Sequence, residues 1–523
     1  MHSYSKHKNG EEKNKKTKNC LTNAVKIESL DNNAQGVARI DINDSSHIIS
    51  VANSNKPFDK NLLATNQAKS VKAECLNTGS TAKKSTKKVI FIEGALPGER
   101  VEYKISRDKT HYAQAIMTKL VVKSWQRMSP KCQFFGVCGG CNMQHLDISG
   151  QTAVKQRFLE DALRHIGKVQ VAEIYRPIVG FDWKYRLRAK LSVQYLPKTN
   201  SVLVGFFKRK TSVVTDMQSC EVLPTYVSNL IKPLRLLIAQ LSIKDQINFI
   251  EVAINEKLTV LNFNLQNKVK LVDQQKITAF AQQHHINIWL QYKNNFLAKI
   301  CDKNNEIKVN ALEKQNADTN YSSQLFYKLP QFDITIFFQP GDFTQVNPVL
   351  NRQLVQRAVQ LLNLKSTDNV LDMFCGLGNF TLPIGRLANK TLGIEGDSEL
   401  IKRALSNRAY NHLNHCVDFI CLNLFEFNIK LLKSLAQFNK LLLDPPREGA
   451  YSIVKTLAEA FTCNLSHCLP ERIVYISCNP SSLARDANVL VNQAHYELAG
   501  TGIINMFPHT SHVESIAVFD LKT

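Results

Sequence analysis

The sequence predicts an α/β protein in three parts: a small N-terminal β-barrel, a mixed α/β middle, and a doubly wound, mainly parallel sheet in the last third. Two patterns predict it. From Asn369 onward, short apolar runs (NVLDMFC, TLGIE, VDFICLNL, KLLLDPP, RIVYISC) alternate with stretches of helical periodicity such as SELIKRALSNRAYNHL and SSLARDANVLVNQA, the order that builds a parallel sheet. Near the N-terminus, VKIESLDNNAQGVARI, KVIFIEGALPGERVEYKI and HYAQAIMTKLVV read instead as strands broken by turn residues, enough for a small barrel.

The totals narrow the function classes. A chain of 523 residues holds two or three domains. Its 66 Lys plus Arg against 44 Asp plus Glu leave a net charge of +22, which favours a polyanion such as nucleic acid over a membrane surface. No apolar run reaches the roughly 18 residues of a membrane span, and MHSYSKHKNG lacks the apolar core of a secretory signal. The expected location is the cytoplasm. The 13 cysteines are odd in number and irregularly spaced, which argues for thiol, metal or cluster roles over a disulfide framework.

In chain order, residues 1–20 read as a disordered basic tail and 21–123 as the barrel, interrupted by a polar, Ser-, Asn- and Lys-rich insertion at about 43–87. Residues 124–335 form a cluster-binding and central segment, and 336–523 the doubly wound domain. Within the middle part, Cys132, Cys138 and Cys141 fall inside ten residues with Gly136, Gly139 and Gly140 between them. Three thiols on so pliant a loop suit a metal or cluster better than chance. Candidates for a fourth ligand are Cys220 and Cys301 downstream and Cys20 and Cys75 upstream; spacing does not choose between zinc and iron–sulfur. Trp183 to Thr215 alternates as an antiparallel hairpin bearing Arg186, Arg188, Lys190, Lys208, Arg209 and Lys210. That face fits either RNA phosphates or a solvated surface.

The chemistry concentrates in the last third. Gly376-Leu377-Gly378-Asn379 follows one strand and Glu395 ends the next, the parts of an adenosine site for NAD or S-adenosylmethionine. Two glycines where a pyrophosphate needs three, and the acid-Pro-Pro run Asp444-Pro445-Pro446 before Arg447, favour the methyl donor. Cys478 stands where an apolar strand stops, the place where such sheets gather ligands; the alternative is an inert buried cysteine. A thiolate there has a use. Carbon 5 of a pyrimidine is too weak a nucleophile to take a methyl group until a thiol adds at carbon 6. Glu514, next to Val513 and His512, is then the candidate base for the C5 proton, with a strand-edge acid as the bland reading.

Taken together and in order, the cysteine loop, DPPR, SCNP and HVE resemble the bacterial iron–sulfur 23S ribosomal RNA uracil-5-methyltransferase family, from about Val25 to the C-terminus apart from the insertion. The resemblance implies an N-terminal TRAM barrel of the oligonucleotide-binding type, a central RNA-binding domain and a C-terminal Rossmann-like methyltransferase domain. It implies a [4Fe-4S] cluster on Cys132, Cys138, Cys141 and Cys220, and S-adenosylmethionine contacts at Gln345, Phe374, Asn379, Glu395, Asn423 and Asp444. Cys478 matches the nucleophile and Glu514 the base; the expected partner is 23S rRNA, and the expected state a monomer. A uracil in tRNA or elsewhere in rRNA, and a non-catalytic RNA-binding assembly role, are the rival expectations.

Overall fold

The computed structural model describes residues 24–41, 87–292, 297–300, 324–435 and 437–522. The basic tail, nearly all of the insertion, Cys20, Cys75 and Cys301 lie outside them. The chain divides into two compact units, Met1–Trp125 and Gln126–Thr523.

The first unit has β1 (Ala24–Lys26), β2 (Ser29–Leu30), β3 (Gly36–Asp41), β4 (Lys87–Glu93), β5 (Arg100–Asp108) and β6 (Tyr112–Val122). They form one sheet in the order β1-β5-β6-β4-β3-β2. Its two edge strands are separated by only residues 27–28, so the sheet must curl back on itself. The inside is filled by Ile27, Ala38, Ile90, Ile92, Val101 and Ala113, supplied by alternate positions as strand periodicity requires.

The second unit opens with the helix Ile148–Ala162, capped by Asp147, whose side chain accepts from Gly150 N. The strands β7 (Glu173–Ile174), β8 (Arg188–Leu196), β9 (Ser201–Gly205), β10 (Ile247–Ile254), β11 (Thr259–Leu265), β12 (Asn287–Gln291) and β13 (Leu297–Ile300) follow. All but β7 make the central sheet, β13-β12-β11-β10-β8-β9, with the expected basic hairpin at its edge. A two-stranded ribbon, β14 (Leu325–Leu329) and β15 (Ile334–Phe338), leads into the helix Pro348–Leu362.

The last seven strands are β16 (Asn369–Met373), β17 (Lys390–Glu395), β18 (Val417–Cys421), β19 (Lys440–Leu443), β20 (Arg472–Ser477), β21 (Tyr496–Ile504) and β22 (Glu514–Leu521). Their sheet runs β18-β17-β16-β19-β20-β22-β21-β7. β16 to β20 are parallel, as the alternation predicts, while β22 runs antiparallel between β20 and β21. β7, from the middle of the chain, adds to the far edge parallel to β21. From β16 the chain winds outward to β18 and then restarts on the other side at β19. Such a reversal opens a crevice at the carboxyl ends of the two strands that flank it. Among the described residues no helix is long and apolar enough to cross a membrane.

Candidate active site and cysteine pocket

β20 and β22 pair in the register Arg472↔Asp520 through Ser477↔Ser515. Cys478 follows directly on the last paired residue of β20, and Glu514, which pairs with Ile504 of β21, directly precedes that residue's partner Ser515, so the two lie at adjoining strand ends. Local chemistry fixes the thiol at this point. Asn479 is the N-cap of the helix Pro480–Gln493, its side chain accepting from Ser481 N at 3.1 Å, so the strand must stop at once. Ser515 Oγ donates to Ser477 O at 2.9 Å. Asn479 Nδ2 donates to Arg447 O at 3.1 Å, which ties the Asp444–Arg447 loop to the same corner.

The electrostatics of this corner favour protons. Burial pushes the Cys478 thiol up to about 11, Glu514 and Asp444 add to the rise, and Arg447 opposes it. Glu514 is 3 % exposed, and burial, then Asp444, hold its carboxyl well above the usual carboxylate range. Asp444 is itself raised to about 7 by burial. Two acids and a thiol thus act on one another, with Arg447 as the charge opposing the thiol's rise. A cationic ligand would relieve all three.

Five of the six positions named for the methyl donor fall at the carboxyl ends of β16, β17, β18 and β19. The turn after β16 uses positive φ at Phe374 (67°), Gly376 (54°) and Gly378 (91°); a Cβ at Gly378 would also lie 3.0 Å from the Phe419 ring, so glycine is required there. Glu395 holds this turn through its carboxylate, accepting from Gly376 N at 3.1 Å and from Gly396 N at 2.7 Å. Asn379 exchanges two hydrogen bonds with Asn351, at 2.9 and 3.1 Å, and accepts from Tyr327 OH at 3.0 Å. Phe374 meets Phe425 edge to face at 6.0 Å, and Asn423 caps the short turn that carries Phe425. Asp444 N donates to Met373 O at 3.3 Å, so it sits directly beside the end of β16. Gln345 stands apart from these five, on the loop after β15, lining a separate pocket with Arg188, Tyr327 and Asn351.

Sequence reasoning missed three groups. Asp372 is fully buried; Thr381 Oγ1 donates to it at 2.5 Å, burial raises it to about 8, and its second oxygen has no partner among the described residues. Its signal was present, an acid inside the apolar run NVLDM. Phe343, two residues before Gln345, is 76 % exposed, unusual for a large aromatic. Lys155, buried in a helix far from the crevice in sequence, gave none.

The four cysteines expected as ligands line one pocket of about 400 Å³, mouth included, beside Arg186 and Glu221. The short bridge Cys138↔Lys208 joins their loop to the basic hairpin. Burial raises every one of these thiols, Cys141 to about 11 and Cys220 to about 12. Among the described residues no group of three or more His, Cys, Asp or Glu is drawn together tightly enough to hold a metal ion. The basic hairpin splits. Arg188 pairs with Glu251 and donates to Thr344 Oγ1 at 2.8 Å, whereas Lys190, lying over the Phe249 ring at 3.6 Å, Lys208 and Lys210 are exposed.

Comparison with known proteins agrees with this layout. The family model described as tRNA (Uracil-5-)-methyltransferase matches residues 149–522, and the TRAM domain model matches 76–118. The 23S rRNA (uracil(1939)-C(5))-methyltransferase RlmD of Cupriavidus pinatubonensis is 47 % identical over 435 residues, 83 % of this chain and 90 % of that protein. The protein of the same name from Ralstonia pickettii is 47 % identical over 440 residues, covering 83 % and 93 %. Among solved structures, the Pyrococcus abyssi tRNA (uracil-54, C5)-methyltransferase in complex with S-adenosyl-L-homocysteine superposes with a TM-score of 0.60 at 19 % identity, over 95 % of this chain and all of that one. At that identity the likeness is one of fold.

Proposed function

The chain belongs to the tRNA (uracil-5-)-methyltransferase family, and from that premise we propose that it methylates carbon 5 of a uracil in 23S rRNA, the one its RlmD relatives are named for, position 1939. The observation that supports the reading is that Cys478 and Glu514 adjoin the last β20–β22 pair, Ser477↔Ser515, with the acid acting on the thiol.

S-adenosylmethionine, when bound, supplies an electrophilic methyl group and a positive charge. Phe374, Asn379, Glu395, Asn423 and Asp444 would hold it at the ends of β16 to β19, with Gln345 beside Tyr327 and Asn351, the two residues that bond Asn379. Cys478, as thiolate, adds to C6 of a uracil turned out of its stack; the C5=C6 electron pair moves to C5, which takes the methyl group. Glu514 then accepts the C5 proton, the C6–S bond breaks, and the thiolate of Cys478 returns. To accept that proton Glu514 must first be ionised; the positive charge of the bound methyl donor would favour its carboxylate, as it would the thiolate of Cys478. The exposed Phe343 ring is a candidate stacking surface for the extruded base.

Cys132, Cys138, Cys141 and Cys220 would hold a [4Fe-4S] cluster, because four thiols lining one pocket, each pushed up by burial, need a cationic group among them to exist as thiolates. It serves structure, in a protein acting as a monomer in the cytoplasm. The test of the function is tritium release from 5-tritiated uracil in a 23S rRNA fragment, together with mapping of the new methyl group. Release at one uracil is expected; none, with donor and RNA both bound, would refute the reading.

A further inference from the structure

Asn505 to Val513, between β21 and β22, form the turn that delivers Glu514 to the Cys478 thiol. Most of its side-chain anchors come from the chain after Cys141 and from the helix Ile148–Ala162. Lys155 is 0 % exposed, and its Nζ donates to Asn505 Oδ1 at 2.7 Å and to Phe507 O at 2.8 Å. One helical turn earlier, Gln151 accepts from His509 N at 2.7 Å. Asn142, next to Cys141, accepts from Ser511 N at 2.8 Å and donates to Ser511 Oγ at 3.0 Å. Its backbone N–H and that of Met143 both donate to His509 O at 3.0 Å. Tyr185 OH donates to Pro508 O at 3.1 Å, and the Trp183 ring stacks on His509 at 3.8 Å.

A fully buried lysine is a costly anchor. Among the described residues it forms no ion pair, and burial lowers it to about 7. A methionine would fill the same space; what it lacks is two donors aimed at the turn, one of them at Asn505, the residue after the Ile504 that pairs with Glu514.

We infer that Lys155 is a positioning residue for the reaction: through Asn505 and Phe507 it fixes the turn that aims Glu514 at the C5 proton, while Gln151 and Asn142 tie the same turn to the cysteine loop. The inference rests on the assignment of Glu514 as base. It assigns Lys155 to one step only, because Glu514 acts after the thiol has added and the methyl group has moved.

The test separates those steps on the full-length protein and a 23S rRNA fragment. Lys155→Met should transfer methyl in a single turnover at a rate within about threefold of native, yet turn over about ten- to a hundredfold more slowly. A protein–RNA adduct should accumulate on denaturing gels. Asn142→Ala, at a half-buried site that tolerates truncation, should show the same pattern more weakly. Glu514→Gln, run in parallel, should trap the most adduct. If it traps none, the base assignment falls and this inference with it. If Glu514→Gln traps adduct but the other two variants turn over like native, or lose adduct and methyl transfer in parallel as a merely structural defect would cause, Lys155 has no such role.

Discussion

Cys478 directly follows Ser477 and Glu514 directly precedes its partner Ser515, so thiol and carboxyl stand at adjoining ends of two paired antiparallel strands, where burial and then the acid raise the thiol's proton affinity. Neither strand alone makes a site. β20 brings the thiol from the parallel sheet, and β22 returns from the C-terminus to set an acid against it. Because β20 gives way at once to a helix whose N-cap is Asn479, the thiol lies at the crevice mouth and not within the ladder.

The first prediction concerns the resting thiol. With its pKa pushed up to about 11, Cys478 in the ligand-free protein is protonated at neutral pH, and only its thiolate is alkylated. The rate of iodoacetamide labelling of the Cys478 peptide should rise about tenfold per pH unit from pH 7 to 9. A plateau reached below pH 8 would show a thiolate already formed.

The second concerns stability. Asp372, raised to about 8, and Asp444, raised to about 7, hold protons in the folded state that the unfolded chain releases above about pH 4. Proton binding then favours the fold at low pH, so their contribution declines as pH climbs from about 4 to 8. The Tm of the ligand-free protein should fall between pH 5 and 8, and Asp372→Asn, which cannot titrate, should flatten the fall. Lys155 works in the opposite sense above pH 7, since the unfolded chain binds the proton that the buried amine has given up.

A third prediction tests the strand that carries the nucleophile. Tyr475 OH donates to Asp486 at 2.7 Å and accepts from Ala450 N at 2.9 Å, locking β20 to the loop after Arg447. Tyr475→Phe should cost about 1–3 kcal/mol in urea unfolding, the usual penalty for stranding buried partners. A change within error would mean that Asp486 and Ala450, themselves 2.8 Å apart, suffice.

The fourth addresses the cysteine pocket and the charge. Protein purified without oxygen should be brown and hold about four irons; stoichiometric zinc without iron would contradict the cluster. RNA affinity should decline steeply with salt, as release of counterions from phosphates requires, and Lys208→Ala with Lys210→Ala should shallow that slope while Arg188→Ala, whose charge is already paired with Glu251, changes it less.

Much of this was legible in the sequence because it depends on local pattern. The alternation from Asn369 predicts a doubly wound, mainly parallel sheet, the left-handed turn demands Gly378, and a strand ending on Cys478 before Asn-Pro announces a helix N-terminus. The resemblance supplied the ligand cysteines that spacing left open, and the fold gathers all four around one pocket. What stayed hidden is long-range. Nothing in the helix around Lys155 says that its amine reaches Asn505, 350 residues later in the chain, and no periodicity says that β7 joins the far edge of the last sheet. The basic hairpin was ambiguous for the same reason. Arg188 and Lys190 are occupied by Glu251 and Phe249 of a neighbouring strand, which alternation along one strand does not reveal.

The central claim is that Cys478 attacks the uracil and Glu514 completes the reaction. It is tested most directly by incubating the native protein and S-adenosylmethionine with a 23S rRNA fragment containing 5-fluorouracil, whose fluorine cannot leave as the proton does, and then sequencing the trapped peptide by mass spectrometry. The account predicts a single modified peptide, with the methylated nucleotide on Cys478, and no adduct from Cys478→Ala. An adduct on Cys375 of the glycine turn, or one that survives in Cys478→Ala, would contradict it.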